Sequence, residues 1–274
     1  MIHGNMAERP EPLAETSPHQ NWREEIVLER TWDPRGHAHG IMSPGGVLLR
    51  TDRDGSSFEI VAAGMRNAYD IAFNEDGELF TYDSDMEWDI GAPWYRTPRL
   101  LHLVSGGEFG WRSGSAKWPI DSPDARPAVL ELDAGSPTGV ASGHLSSWPE
   151  PWRSRMYLAD WAFGRVLSVE LIPEGASYTG RVDETPFILG RPFNVSDLAF
   201  GPEGDLFLII GGRGSQSGLY RVSWVGDANE EKAPRSDGTL RAERRRIEHS
   251  HRDATALSKE ELLEQLKQQN ISCK

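Results

Sequence analysis

Cysteine is almost missing from this chain: one residue in 274, Cys273, beside the C-terminal lysine. One thiol excludes an intrachain disulfide, a two-cysteine metal site and a Cys-x-x-Cys-His haem attachment, so no haem motif is present. Long hydrophobic runs are missing too. Nothing approaches the ~20 apolar residues of a membrane helix, so no transmembrane segment is expected, and the polar stretch from Met1 to Gln20 has no signal-peptide core. Cationic excess is the third absence. Lys and Arg total 29 against 42 Asp and Glu, a formal net charge of −13. Phosphate contacts need clustered Lys and Arg, so a nucleic-acid partner is not expected. What remains is a soluble protein, or one that attracts cations.

Turn formers and aromatics are abundant, with 28 Gly, 18 Pro and 10 Trp. That composition favours short strands joined by tight loops. Residues 1–22 read as a disordered lead. From Gly46 to about Trp224, short apolar runs alternate with Asp-Gly, Pro-Glu-Gly and Gly-Gly punctuation. Gly46–Asp52 and Phe58–Ala62 read as two strands of one blade, with Asp54-Gly55 at the turn.

An internal repeat organises this region. Tyr69-Asp70-Ile71-Ala72-Phe73 through Gly77-Glu78-Leu79-Phe80 aligns with Ser196-Asp197-Leu198-Ala199-Phe200 through Gly204-Asp205-Leu206-Phe207. The offset is 127 residues (197 − 70), roughly three units of about 42, within the usual blade length. A weaker copy lies between, in Thr138–Gly143, Met156–Trp161 and Gly164–Leu171. The expected fold is therefore all-β: a β-propeller, apparently partial at about four blades. A generic β-sandwich is the alternative. The expected division is a lead over 1–22, the propeller over 23–226, and a charged linker with a short C-terminal α-helix over 227–274. Ser258 with Glu261 reads as the capping box of that helix, with Leu262, Leu263 and Leu266 on its apolar face. The basic cluster Arg241, Arg244, Arg245 and Arg246 is interleaved with acids and reads as solvated linker.

Several residues are candidates for chemistry. Arg66-Asn67 sit where a loop enters a strand; an Arg fork can hold a carboxylate or quinone oxygen and Asn a neighbouring polar atom. Structural pairing of Arg66 with a blade carboxylate is the alternative. Asp83, Asp85, Glu87 and Asp89 alternate along an extended segment and could converge on a hard cation such as Ca²⁺, or form a solvated acidic loop. Arg213 and Gln216, in a Gly-rich loop between strands, could face an anionic cofactor. His37 and His39 form an H-x-H pair without an evident third ligand. Ser136-Pro137-Thr138-Gly139 lacks the flanking glycines of a serine-nucleophile elbow.

These residues carry a family resemblance. Gly64-x-Arg66-Asn67, Asp70-x-Ala72-Phe73 and Asp76-Gly77-Glu78-Leu79 resemble the glucose/sorbosone dehydrogenase propellers, which depend on pyrroloquinoline quinone (PQQ). Tyr82–Asp89, Pro93–Arg99, Gly107–Arg112, Gly135–Val140 and Gln216–Val222 resemble the PVC-type haem-binding or putative membrane-bound dehydrogenase group within them. The resemblance runs from about His39 to Val225. It implies a six-bladed propeller and oxidation of a small-molecule sugar or alcohol with PQQ and Ca²⁺. It also implies a periplasmic or extracellular setting, and a haem or cytochrome partner domain in a longer parent. It places Arg66 and Asn67 on the quinone and the calcium loop at Asp83–Asp89, where this chain has Ser84-Asp85 in place of the family's Gly-Pro. His39 is the weak candidate for the catalytic base. Two other readings stay open: a non-catalytic propeller module for binding or interaction, and a metal-dependent lactonase-like hydrolase.

Overall fold

The structure, a computed structural model, describes residues 2–3, 12–20, 45–84, 96–112, 118–119, 121–226 and 258–261. Among these, sixteen strands form four sheets. The first sheet orders β1 (Ile2–His3), β2 (Gly46–Thr51), β3 (Phe58–Met65) and β7 (Gly107–Glu108). The second orders β4 (Ala72–Phe73), β5 (Leu79–Asp83), β6 (Arg99–Leu103) and β8 (Leu130–Glu131). The third joins β9 (Pro137–Ser142), β10 (Arg155–Asp160), β11 (Arg165–Glu174) and β12 (Ser177–Val182), with β13 (Ile188–Leu189) also on β11. The fourth is β14 (Val195–Phe200), β15 (Leu206–Gly212) and β16 (Ser215–Val222). The succession of antiparallel meanders is a row of propeller blades, and among the described residues the sheets do not close into a ring.

The internal repeat is reproduced bond for bond. In the second sheet Ala72 pairs with Phe80 and Phe73 with Leu79; in the fourth, Ala199 pairs with Phe207 and Phe200 with Leu206. The turn between them is the same. Asn74 N–H donates to Glu78 O and Gly77 N–H to Asn74 O, as Gly201 N–H donates to Asp205 O and Gly204 N–H to Gly201 O. Gly77 and Gly204 take φ of +80° and +83° at its end, a conformation that a side chain would strain.

Each interior blade is apolar on both faces, which follows from the strand's two-residue period. On β10, Met156 and Leu158 face the second sheet with Phe80, Tyr82, Leu100 and Val140. Tyr157 and Ala159 face the fourth with Val195, Leu198, Leu206, Leu208 and Ile210. All four β10 side chains are fully buried. The first and second sheets meet through Leu48, Ala62, Met65 and Phe109 against Leu101 and Leu103. Among the described residues no element covers the far side of the fourth sheet, and Ile209 and Leu219 are 51% and 68% exposed.

Two connections lace the blades together. After β6 the chain crosses back, and β7 adds in parallel to β3, with Ala62 opposite Gly107. Phe109 and Trp111 N–H then donate to Ala63 O and Gly64 O. The Glu108 carboxylate turns back to Gly110 N–H and to the buried Arg112 guanidinium. Gly64 must be glycine here: its φ is +81°, and a Cβ would overlap the Glu108 carboxylate and meet Gly110 N at 2.6 Å. The second connection is the β11–β12 hairpin, absent as a fourth strand from the sequence reading. It reaches onto the second sheet, where the Tyr178 hydroxyl donates to Asp76 and accepts from Asn74 Nδ2, both at 3.0 Å.

Residues 12–20 lie inside the stretch expected to form a disordered lead, yet they run along β3. Ala14 and His19 N–H donate to Phe58 O and Ile60 O, the buried Ser17 hydroxyl accepts from Ile60 N–H at 2.9 Å, and Leu13 packs on the Val47, Leu49 and Ile60 cluster. At the other end, Ser258 and Glu261 form the expected capping box: Ser258 N–H donates to Glu261 Oε2 and Glu261 N–H to Ser258 Oγ. Leu262, Leu263 and Leu266 lie outside the described residues.

Two substitutions test these connections in urea unfolding. Gly64→Ala is expected to cost about 2–4 kcal/mol, because left-handed strain adds to a backbone overlap with no room to relax. Tyr178→Phe is expected to cost about 1–2 kcal/mol through the two lost hydrogen bonds, with the midpoint lowered and the denaturant slope unchanged.

Candidate functional site

In each blade the first and third strands run one way and the second runs back. The start of the first strand, the end of the second and the start of the third therefore share one rim. Arg66-Asn67, at the entry to the β4–β5 blade, lie on this rim. So do Asp83 and Arg99 in the same blade, Ser136, Asp160 and Arg165 in the third, and Asn194 and Gly212–Ser215 in the fourth.

Asp83 is the last residue of β5 and is fully buried. Its Oδ2 accepts from Arg66 N–H at 3.0 Å and its Oδ1 from Asn67 N–H at 2.8 Å. Arg99, its cross-strand partner at the start of β6, supplies the counter-charge at 3.3 Å. Ser84 Oγ accepts from Arg66 Nη1 at 3.0 Å. Arg66 is half-buried, and its Nε, like those of Arg96, Arg99 and Arg155, is buried without a hydrogen-bond partner among the described residues. The Asn67 residue is exposed. The expected cation ligand Asp83 thus spends both oxygens on N–H donors. Asp85, Glu87, Asp89 and His39 lie outside the described residues. Among the described residues no three of His, Cys, Asp and Glu come together as a metal cluster.

The same device recurs in the next blade. Asp160, last on β10 and fully buried, accepts from the N–H groups of Ser136, Ala162 and Phe163. Its counter-charge is Arg165, cross-strand at the start of β11 and 2.7 Å away. In the fourth blade glycine stands there instead. Gly211 O accepts from Trp161 Nε1 at 2.7 Å and from Ser196 Oγ at 3.1 Å. Arg213 follows at the β15–β16 turn with φ +49°, its guanidinium 5.1 Å above the Trp161 ring. Arg213 and Gln216 are exposed on this fourth blade, two blades from Arg66 and Asn67, with which they share no hydrogen bond among the described residues.

A second polar feature lies on the inner strands. Asp70 and Asp197 are the paired acids of the repeat, and each accepts the N–H of its following residue at 2.8 Å. Between them runs β9: Val140 N–H donates to Asp70 Oδ2 at 3.1 Å, and a Cβ on Gly139 would meet Asp197 Oδ1 at 3.0 Å. Burial raises the Asp70 carboxyl above the ordinary carboxylate value. Its two N–H bonds pull the other way, and the Asp197 charge adds a smaller upward push. Sequence reading missed Arg99, Ser84, the Asp160–Arg165 pair and the proximity of Asp70 to Asp197. An acid ending one strand and an arginine opening the next was the available signal for the first and third.

No protein-family model and no curated protein matches the chain. Solved structures do. A glucose-dehydrogenase-type oxidoreductase of Thermus thermophilus is 20% identical over 60% of this chain and 47% of its own, at a TM-score of 0.47. The PQQ-bound aldose sugar dehydrogenase of Streptomyces coelicolor is 17% identical over 68% of this chain and 54% of its own, at 0.49. The apo soluble aldose sugar dehydrogenase of Escherichia coli is 15% identical over 55% and 43%, at 0.44. The chain spans about half the length of these proteins. No helix of the described residues is long and apolar enough to cross a membrane.

Asp197→Asn is expected to lower the Asp70 pKa toward the ordinary carboxylate value, read by carboxyl NMR titration. The folded pKa of Asp70 is raised, so its contribution to stability is present below the unfolded pKa and is lost as pH rises through the folded one. Asp197→Asn should therefore shrink the loss of stability seen as pH rises through the acidic range.

Proposed function

We propose that this chain is part of a quinoprotein-like dehydrogenase propeller that oxidises a sugar or alcohol with PQQ and Ca²⁺. The observation that carries this reading is the Arg66-Asn67 pair: two donor-rich side chains at a blade rim, Asn67 exposed and Arg66 half-buried. A carboxylate or quinone oxygen is the acceptor that a planar guanidinium fork suits. Arg66 and Asn67 therefore fit a quinone. When bound, PQQ supplies the two-electron acceptor for the alcohol carbon. Arg66 binds and orients its oxygens, Asn67 offers an amide donor beside it, and the Ser84 hydroxyl holds the guanidinium.

Arg213 and Gln216 are proposed as a further contact to the same cofactor from the fourth blade. The calcium part rests on Asp85, Glu87 and Asp89, since Asp83 is engaged with Arg66, Asn67 and Arg99. A periplasmic or extracellular setting and a haem or cytochrome partner domain belong to this reading of a longer parent.

A specific observation favours one alternative. Asp70 and Asp197 lie on either side of β9 on the inner strands, where a lactonase-like hydrolase would use carboxylates to hold a metal. Hydrolysis of a sugar lactone that needs an added divalent cation and is lost in Asp197→Asn would favour it.

Adding PQQ with Ca²⁺ is expected to shift the quinone absorbance, and Arg66→Ala to weaken binding by about 2 kcal/mol, ~30-fold in Kd. A wild-type chain that leaves the quinone spectrum unchanged sinks the dehydrogenase reading.

A further inference from the structure

Arg66 and Asn67 are held from a different strand than their own. Asp83 and Ser84 are consecutive at the end of β5; Asp83 takes the two backbone N–H groups, and Ser84 takes the guanidinium. We infer that Asp83 is the positioning residue of the Arg66-Asn67 pair, with Ser84 as its side-chain arm. This rests on the quinone-site reading above.

The physical case has three parts. A fully buried carboxylate is tolerated only where donors satisfy it, and this one has three, two of them consecutive main-chain N–H groups. Charge-assisted bonds to successive N–H groups pin the backbone of both residues, so both side chains leave from a fixed root. A donor pair held in place before the ligand arrives loses less freedom on binding it. Arg99 balances the charge from the neighbouring strand, without drawing on the Arg66 guanidinium.

The third blade contains the control. Asp160 occupies the equivalent place, with the same burial, main-chain donors and cross-strand arginine. The residues it holds, Ser136, Ala162 and Phe163, have no place in the proposed quinone site. A purely structural carboxylate makes Asp83 and Asp160 equivalent; a positioning role makes them differ.

The test compares Asp83→Asn with Asp160→Asn in two readouts: PQQ affinity by absorbance titration, and the rate at which phenylglyoxal modifies Arg66, mapped by peptide mass. Both variants are expected to lower the melting temperature. Asp83→Asn alone should raise the PQQ Kd about tenfold or more and speed Arg66 modification several-fold, while Asp160→Asn leaves both near wild type. Equal effects of the two variants on both readouts overturn the inference. If Asp83→Asn fails to fold, Ser84→Ala replaces it: faster Arg66 modification at an unchanged melting temperature supports the inference, and an unchanged rate refutes it. A wild-type chain that binds no PQQ sinks the dehydrogenase reading, and the phenylglyoxal comparison then decides the positioning role by itself.

Discussion

A blade with two apolar faces must be packed on both. The third sheet shows what this constraint demands. Consecutive residues of β10, Met156 to Ala159, are all fully buried because alternate side chains enter the two seams on either side. Burying a large aliphatic or aromatic side chain contributes roughly 1.5–3 kcal/mol, so these seams set the angle and spacing of the blades. Everything polar is arranged around them, at the rims and along the inner strands. On the far side of the fourth sheet, where no described residue forms a seam, Ile209 and Leu219 are exposed.

Rim loops have no sheet ladder to satisfy their backbone, and the second and third blades solve this in one way. A buried aspartate at the end of the second strand accepts the loop's N–H groups, and an arginine at the start of the third strand balances its charge. The blade repeat thus extends beyond apolar packing into a polar device. The fourth blade departs from it with Gly211 and Gly212. There the indole N–H of Trp161 donates to a rim carbonyl, where the other two blades use a carboxylate to accept from rim N–H groups. Arg213, held over that indole in a left-handed conformation, marks where the departure occurs.

The hallmark strings of the sequence separate by role once they are placed. Gly107–Arg112 laces the first two sheets: Glu108 closes on Gly110 and Arg112 and forces glycine at position 64. That packing requirement, rather than ligand contact, explains the glycine before Arg66-Asn67. Asp83 belongs with the positioning of that pair. Arg66 is half-buried and Asn67 exposed at the rim.

Much of the fold was legible in the chain. The 127-residue repeat, its Asp-Gly and Glu-Gly turns and the two-residue alternation specify strands, turns and blade class, because those depend on local periodicity and on glycine's freedom at positive φ. The capping box at Ser258 was legible for the same reason. The β11–β12 hairpin was not, since its inward positions on β12 hold only Tyr178, Gly180 and Val182, and its anchor, Tyr178, bonds to partners about a hundred residues away. Nor was the task of Asp83. An acid beside other acids reads locally as a cation ligand, and only the tertiary structure brings three N–H donors onto it from residues 16 and 17 positions away. The sequence by itself determined which segments are strands and which residues are chemically able to bind. The tertiary structure decided which of them are already engaged, because hydrogen-bond partners depend on contacts between blades that no local pattern encodes.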